Sequence, residues 1–545
     1  MMKVAAACLL SLFLPGCSKA PEAPAARALT PVATVSSAGV AVSATTRDAA
    51  SAISWIKPDG ANIAPVFAQA KTSNKPVFLY WGAVWCPPCN QIKATVFTRQ
   101  DFIERSQLFL PVYLDGDTPG AQKLAAHFNV RGYPTMILFR PDGTELTRLP
   151  GEVDAARYME VLGLGLASVS SVKQSLSAAL GGAGATMTPE AWRMLAFYAW
   201  DADDAQLVRE NERAPTLERL ARACPKAQRA VASRLLLLAI AATGQAKGTL
   251  SDVPAALKRV HEILADGSQA RENFDLLVNY GADMLPVLSR AGSAERRALT
   301  PAMNAALEHL ATDSTLSTSD RLSAVSAKVA LVRLDFPRGA RPRLDPVVLA
   351  QVRELVATAD KAATSTYERQ AVIPQAADLL AQAGLLDESD ALIKAELPKA
   401  ISPYYHMLVL AGNAQARGNK AAALDWTQKA WEKSVGPATR LQWGGVYVGR
   451  LLELTPQDAA RIEKAASSVL AELEPVPETF YERNRRSLEK MGQRLLVWNG
   501  RGQQAAVMKK LSAQLDAVCA KLPTQDEART ACAGVFKARA AGTKA

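Results

Sequence analysis

The residues best suited to covalent chemistry are two cysteines, Cys86 and Cys89, which a Pro-Pro pair separates. Two thiols at this spacing form a reversible disulfide, or they supply half of a zinc site. No second Cys-x-x-Cys follows, and the four histidines (127, 261, 309 and 406) lack the spacing of metal ligands. We therefore predict a redox pair that uses its own sulfurs, with no metal and no separate cofactor.

The pair lies between a predicted strand and a predicted helix. Val77 to Trp81 is a short apolar run typical of a buried strand, and the apolar residues after Asn90 return at helical spacing. The same patterns predict further strands over 108–114, 136–139 and 145–149, and helices over 121–128 and from 153 onwards. The predicted order is βαβαββα, with Cys86 at an exposed start of the first helix.

That position determines the roles of the two sulfurs. Only a thiolate attacks a disulfide, and the free N–H groups and positive dipole end of a helix N-terminus lower the pKa of a thiol placed there. Pro87 suits the first helical position and Pro88 withholds a donor, so the N–H of Cys89 is the expected partner of the Cys86 sulfur. Cys86 is thus the predicted nucleophile, and Cys89 the thiol that resolves the mixed disulfide.

Residues 53–165 resemble a thioredoxin-fold domain, most closely the periplasmic reductase domain of the DsbD family of thiol:disulfide interchange proteins. The resemblance rests on Trp85, on the strand and helix around the cysteine pair, and on Gly-Tyr-Pro-Thr at 132–135. It implies a cis peptide bond before Pro134, with Trp85 and the backbone of Tyr133 contacting an extended substrate segment. An ordinary turn proline is the alternative. Protein thiols or disulfides are the implied substrates, together with an upstream redox partner.

One position departs from the family pattern. The resemblance implies a buried carboxylate six residues before the first cysteine, where it takes the proton of the resolving thiol, but that residue is Tyr80. Either the phenol or a water substitutes, or the resolving step is slower. We favour a reductase, with an oxidase or isomerase as one alternative and a non-catalytic scaffold that binds protein partners as another.

The N-terminus predicts export and a lipid anchor. Residues 1–16 read as a signal peptide, because Lys3 precedes an apolar stretch shorter than the roughly 20 residues of a membrane-spanning helix. Its end, Leu-Pro-Gly-Cys17, resembles the lipobox of bacterial lipoproteins, which implies lipid on Cys17. Residues 17–52 predict a flexible tether. Because Ser18 is not the Asp that retains lipoproteins at the inner membrane, the resemblance implies the periplasmic leaflet of the outer membrane. A secreted soluble protein is the alternative.

The rest of the chain is predicted to be helical. The sequence is 49% apolar but only 6% aromatic, which excludes wholesale disorder and disfavours a many-stranded fold. We assign 166–187 to a linker and 188–545 to a large all-α domain. Helix starts are predicted at Thr188-Pro189, Thr300-Pro301, Thr455-Pro456 and Thr524, the last paired with Glu527 in a capping box.

A weak repeat is present in this region. Small residues at Ala377, Ala411 and Gly445, and glycines at 384 and 418, are spaced by 34 residues, the tetratricopeptide period. A degenerate solenoid that binds protein or peptide is one interpretation, and chance spacing in an alanine-rich segment is the other.

The net charge and the remaining cysteines say less about function than the redox pair does. The net charge of +11 is spread thinly and no recognition motif accompanies it, so we predict no nucleic-acid partner. We predict that two arginine clusters, at 333, 338, 341 and 343 and at 483, 485 and 486, form solvated faces, and contact with anionic lipid or an acidic partner is the alternative. Cys519 and Cys532 flank Pro523, and their spacing permits a structural disulfide without requiring one. Cys224 is predicted to be a buried lone thiol.

Overall fold

The N-terminal part of the protein is a four-stranded sheet with five helices. The computed structural model describes residues 53–203, 206–337 and 343–537, so the predicted signal peptide, Cys17 and the tether lie outside the described residues. The strands are β1 (Val77–Gly82), β2 (Leu110–Asp115), β3 (Thr135–Phe139) and β4 (Glu145–Leu149). The helices are α1 (Ala64–Ser73), α2 (Pro87–Thr95), α3 (Gln100–Arg105), α4 (Pro119–His127) and α5 (Ala155–Ala167).

The sheet order is β2-β1-β3-β4, with β1 parallel to β2 and antiparallel to β3. All six residues of β1 are buried, because helices cover both faces of the sheet. Phe78 and Tyr80 pack on one face with α2, α3 and α5, while Leu79 and Trp81 pack on the other with α1 and α4. This arrangement confirms the predicted thioredoxin fold and places the start of α2 directly after the central strand.

The chain from 172 onwards is helical in its described residues, which confirms the predicted all-α region. Its helices are α6 (Val172–Leu180), α7 (Pro189–Ala196), α8 (Glu210–Ala223), α9 (Arg229–Ala246), α10 (Val253–Ala265), α11 (Gly267–Glu272), α12 (Phe274–Leu288), α13 (Ala294–Thr312), α14 (Thr318–Arg333), α15 (Pro346–Ala362), α16 (Thr366–Gln382), α17 (Leu386–Glu396), α18 (Pro403–Ala416), α19 (Lys420–Lys433), α20 (Pro437–Leu454), α21 (Ala459–Ala471), α22 (Glu482–Asn499), α23 (Ala505–Cys519) and α24 (Glu527–Gly534).

One predicted helix start is confirmed and the next is wrong. Thr188 caps α7, accepting the N–H of Ala191 at 3.2 Å with Pro at the first helical position. By contrast, Pro301 lies inside α13, which begins after the cap residue Ser293. A hydroxyl followed by proline is therefore insufficient by itself, because packing of the buried α13 face holds the helix through the proline.

The two later starts are displaced by a few residues. Thr455 ends α20, and α21 begins after Asp458, whose side chain caps it. Similarly, Asp526 and not Thr524 caps α24. In both segments a carboxylate lies just downstream of the predicted threonine and accepts the free N–H groups instead.

The 34-residue spacing falls on comparable places in two alternate helices, α16 and α18. Gly384 and Gly418 follow α16 and α18 with positive φ angles of 87° and 76°, a conformation that favours glycine. Ala377 and Ala411 are fully buried within those two helices. These positions explain why small residues recur, and the tetratricopeptide interpretation stays a prediction.

Cys519 and Cys532 form a disulfide that joins α23 to α24 across 13 residues of sequence. Closing a loop of this size restricts the unfolded chain, which stabilises a protein by about 3 kcal/mol. We expect the variant Cys519→Ala/Cys532→Ala to lose about that free energy of unfolding, measured by denaturant titration without reductant. Reductant is the control, because it should lower the wild-type value and leave the variant unchanged. Equal stabilities of the two oxidised proteins would contradict this role.

Candidate redox site

The Cys86 sulfur lies at the N-terminus of α2. Cys86 is the cap residue of this helix, and its Sγ accepts the N–H of Cys89 at 3.3 Å, the partner that the sequence predicts. The two cysteines are joined in a disulfide, with Cα atoms 5.2 Å apart. Because Pro87 and Pro88 have no N–H, the hydrogen bond from Cys89 and the positive end of the helix dipole are what stabilise negative charge on the Cys86 sulfur. The site can therefore hold Cys86 as a thiolate once the disulfide is reduced.

A residue that the sequence reasoning missed holds the turn before the helix. Asn90 is fully buried, and its Nδ2 donates to the carbonyl oxygens of Val84 and Cys86, the latter at 2.9 Å. These two hydrogen bonds tie the turn to the first turn of α2. An asparagine early in a helix gives no distinct signal in the sequence, since it is common at solvent-exposed caps as well.

The loop of Tyr133 and Pro134 lies against the cysteine pair. The peptide bond between these residues is cis, and the carbonyl oxygen of Tyr133 is 3.7 Å from Cys86 Sγ. The Tyr133 side chain turns away towards α4, where its hydroxyl lies 3.4 Å from Gln122 Nε2. The Tyr133 backbone thus faces the reactive sulfur.

The helical region covers this site, which corrects the expectation that Cys86 lies at an exposed helix start. Cys86 is 2% exposed and Cys89 is completely buried. Trp85 is enclosed between two aromatic side chains of the helical region: its ring stacks on Tyr405 at 5.5 Å and lies 5.1 Å from the ring of Trp443. We call the residues Gln370, Tyr405, Trp443 and Arg483 the cover, because they close over the redox pair from α16, α18, α20 and α22.

Hydrogen bonds attach the cover and its neighbours to the thioredoxin fold. Gln370 Nε2 donates to the carbonyl oxygen of Trp85 at 3.0 Å. Gln91 Nε2 of α2 donates to Asp320 at 2.7 Å. The N–H of Thr439 donates to Asp117 at 2.9 Å. Because these bonds hold the helical region against a domain whose Cys86 is nearly buried, access to Cys86 requires the helical region to shift.

Arg483 is part of this closure, and the prediction that it lies on a solvated face is wrong. Its side chain is buried, with the guanidinium 5.4 Å from the ring of Tyr133 and 6.0 Å from that of Trp85. Gln442 accepts two of its hydrogen bonds, at 2.8 and 3.0 Å. Cation–π attraction to the two rings and the hydrogen bonds to Gln442 reduce the cost of burying the charge. Nearby, Arg486 donates to the carbonyl oxygen of Arg131 at 2.9 Å.

The environment of Tyr80 argues against a role as proton acceptor. Burial, reinforced by Tyr367 and Asp115, raises the pKa of the Tyr80 phenol far above its ordinary value of 10. The phenol therefore stays protonated at any pH at which the protein works. Its ring stacks on that of Tyr113 at 5.5 Å, in the aromatic layer that packs against α2.

Other residues with reactive or metal-binding side chains do not belong to the redox site. Cys224 ends α8 as a buried thiol, and burial raises its pKa to about 11, so it is inert at neutral pH. In the part of the chain that the structure describes, His, Cys, Asp and Glu side chains form no group that could hold a metal ion. Among the described helices, none combines the length and apolarity needed to cross a membrane.

Comparison with known proteins agrees with this geometry. A family model for the thioredoxin-like domain matches residues 64–165. The N-terminal part of the chain is therefore a thioredoxin-like domain, and a large all-helical region follows it.

Individual relatives are more specific than the family model: the thioredoxin-like domain resembles that of DsbD proteins. Thiol:disulfide interchange protein DsbD 1 of Pseudomonas aeruginosa is 33% identical over 110 residues, which are 19% of this chain and 18% of that protein. DsbD of Yersinia pestis (strain Pestoides F) is 33% identical over 102 residues, 18% of this chain and 17% of that protein. The bifunctional thioredoxin reductase/thioredoxin of Mycobacterium leprae is 36% identical over 99 residues, 18% of this chain and 20% of that protein.

These matches have a limited extent. The chain spans a fifth or less of the length of the curated relatives it matches. A solved structure described as DsbH Oxidoreductase aligns at 20% identity over 24% of this chain and 94% of that chain, with a TM-score of 0.20, too low to support an argument. The helical region, including the whole cover, lies outside the matched segment.

Proposed function

We propose that this protein is a thiol:disulfide oxidoreductase that acts on protein thiols and disulfides through Cys86 and Cys89. The observation that carries the proposal is the position of Cys86 Sγ, which accepts a hydrogen bond at the N-terminus of α2 and faces the Tyr133 carbonyl at 3.7 Å. Thiolate stabilisation and an adjacent backbone edge for an extended peptide are the two requirements of this chemistry.

In the reducing direction, the Cys86 thiolate attacks one sulfur of a substrate disulfide. A mixed disulfide forms, and the other substrate sulfur leaves as a thiolate. The Cys89 thiol then loses its proton, and its sulfur attacks Cys86 Sγ. The Cys86–Cys89 disulfide forms and the second substrate thiolate leaves. An upstream redox partner, a dithiol, returns the pair to its reduced state by the reverse exchange.

We favour a reductase over an oxidase or isomerase. The relative named bifunctional thioredoxin reductase/thioredoxin supports this direction, whereas the name thiol:disulfide interchange protein gives no direction. The redox state of Cys86 and Cys89 in growing cells decides the direction of electron flow. It is measured by alkylation of trapped thiols. A mostly reduced pair is expected for a reductase, and a mostly oxidised pair would indicate an oxidase.

The burial of the redox pair favours a second candidate function. If the cover never opens, the thioredoxin fold serves only as a docking site for the helical region, and the protein is a scaffold for protein partners. The test is insulin reduction by the full chain with dithiol supplied. We expect faster reduction than with dithiol alone. No acceleration, together with a Cys86 that resists alkylation in the reduced protein, would support the scaffold.

We also propose that the protein is exported and held by lipid on Cys17 at the periplasmic leaflet of the outer membrane. The proposal rests on the segment Leu-Pro-Gly-Cys17 and on Ser18. In cells fed a labelled fatty acid, the wild-type chain should take up label and sediment with outer membranes. The Cys17→Ala chain should do neither, and an unlabelled wild-type chain would contradict the anchor.

A further inference from the structure

We propose that the ε-amine of Lys93 accepts the proton of Cys89 when the mixed disulfide is resolved, in place of the carboxylate that position 80 lacks. This inference rests on the proposed function, since it assigns a proton acceptor to the second step of that exchange. Lys93 belongs to α2, the same helix that carries the redox pair.

The first argument is the spacing along α2. Lys93 follows Cys89 by four residues within Pro87–Thr95, so the two side chains lie on one face, one helical turn apart. Long side chains on a helix lean towards its N-terminus, which directs the Lys93 side chain back towards Cys89. Cys89 is fully buried in the closed structure, so a side chain on its own helix is better placed than bulk water to take its proton.

The second argument is where the amine lies. Lys93 Nζ is 5.9 Å from the ring centroid of Tyr113 and 5.3 Å from that of Tyr367 of the helical region. Tyr113 pairs with Tyr80 in the register of β1 and β2, and their rings stack at 5.5 Å. The amine is therefore next to the layer in which the family pattern places its carboxylate.

The third argument is the charge around the amine. Burial disfavours the ammonium ion and Asp115 at the end of β2 favours it, and the net effect lowers the pKa of Lys93 to about 8. The phenols of Tyr80 and Tyr113 stay protonated, because burial raises the pKa of each. From the helical region, Tyr367 faces the amine, and Asp320 binds Gln91, two residues before Lys93 in α2. About a tenth of the Lys93 amines are then neutral at neutral pH and able to accept a proton.

In the proposed step, one proton moves to Lys93 and one sulfur–sulfur bond replaces another. Neutral Lys93 takes the proton of the Cys89 thiol and becomes an ammonium ion, while Cys89 sulfur attacks Cys86 Sγ. The bond between Cys86 and the substrate sulfur breaks, and the substrate leaves as a thiolate. The ammonium ion then returns its proton to that thiolate or to water.

The test separates the two steps with an aromatic disulfide that releases a coloured thiolate at each. In the reduced full chain, attack by Cys86 gives the first release and resolution by Cys89 gives the second. We expect Lys93→Met to slow the second release about 100-fold at neutral pH, the usual effect of losing a general base, and to leave the first release nearly unchanged. In Lys93→Met, the pH at which the second release reaches half of its maximal rate should also be higher than in the wild type.

Two further substitutions distinguish a proton acceptor from a structural residue. Lys93→Arg keeps the positive charge but accepts no proton, so it should be as slow as Lys93→Met. Lys93→Glu restores a base and should recover most of the second release. Lys71→Met, which removes an exposed lysine of α1, is the matched control and should match wild type. A second release that is unchanged in Lys93→Met, or restored by arginine, would overturn the proposal.

A second measurement needs no exchange. In a Cys86→Ser chain, the ultraviolet absorbance of the Cys89 thiolate reports its ionisation at each pH, and adding Lys93→Met should reduce the ionised fraction near neutral pH severalfold. If the wild-type chain exchanges with neither insulin nor the aromatic disulfide, the proposed function fails. The thiolate titration still tests whether Lys93 accepts the proton of Cys89. Identical thiolate titrations would then reject Lys93 as the proton acceptor.

Discussion

A chain carrying Cys89→Ser is expected to accumulate a mixed disulfide with its substrates through Cys86, and a chain carrying Cys86→Ser is expected to form none. The reason is the geometry at α2, where only Cys86 accepts a hydrogen bond at the helix N-terminus and faces the Tyr133 backbone. Without Cys89, nothing attacks the mixed disulfide from within the chain. Turnover with a protein disulfide should fall by about a thousandfold or more in both variants.

The adducts are measured on non-reducing gels from cells quenched with acid, and mass spectrometry identifies the trapped proteins. Cys224→Ser is the control, since this buried thiol with a pKa of about 11 should contribute nothing. Adducts that persist in Cys86→Ser at the level of Cys89→Ser would place the nucleophile elsewhere. The proteins trapped by the Cys89→Ser chain also identify the substrate class.

Loosening the cover is expected to speed the reaction with proteins. The Tyr405 ring stacks on Trp85, and Gln370 donates to the Trp85 carbonyl at 3.0 Å, so both stabilise the closed state. An aromatic pair contributes about 1 kcal/mol, and so does a hydrogen bond. If proteins react only with the open state, Tyr405→Leu should accelerate insulin reduction about fivefold, and Tyr405→Leu/Gln370→Ala about 30-fold.

The matched control is a second tryptophan–tyrosine stack that lies wholly within the helical region. Tyr447 stacks on Trp431 at 5.8 Å, so Tyr447→Leu should lower stability without a comparable gain in rate. A small aromatic disulfide provides the second control, because it needs less opening and should respond less than insulin. Equal rates for wild type and the double variant would mean that the cover does not limit access.

Much of the candidate site followed from local sequence. A strand, a break and a helix around Cys86 and Cys89 predict the position of the nucleophile, since the cap residue and the first helical turn are neighbours in the chain. The Pro-Pro pair likewise predicts that the N–H of Cys89 is the partner of the Cys86 sulfur, as observed. Short apolar runs of the kind found in buried strands predict the strands, and only their ends differ by a residue or two.

The helix caps were less predictable. A threonine before a proline predicts the start of α7 correctly and that of α13 wrongly, because hydroxyl and carboxylate side chains near a helix end all accept free N–H groups. Which of them does so depends on where the apolar face of the helix must lie.

Local patterns were enough to predict the order βαβαββα, the helical remainder and a cysteine pair at a helix N-terminus, since neighbouring residues specify each of these, and the resemblance to a known family added the thioredoxin fold. The closure over the pair and the burial of Arg483 over Tyr133 and Trp85 arise only when helices distant in the chain pack on the thioredoxin fold. Gln370 meets Trp85 across 285 residues of chain. The physical reason is that helical periodicity shows which face of α16, α18, α20 or α22 is buried, whereas the packing of the whole chain selects the surface against which it lies.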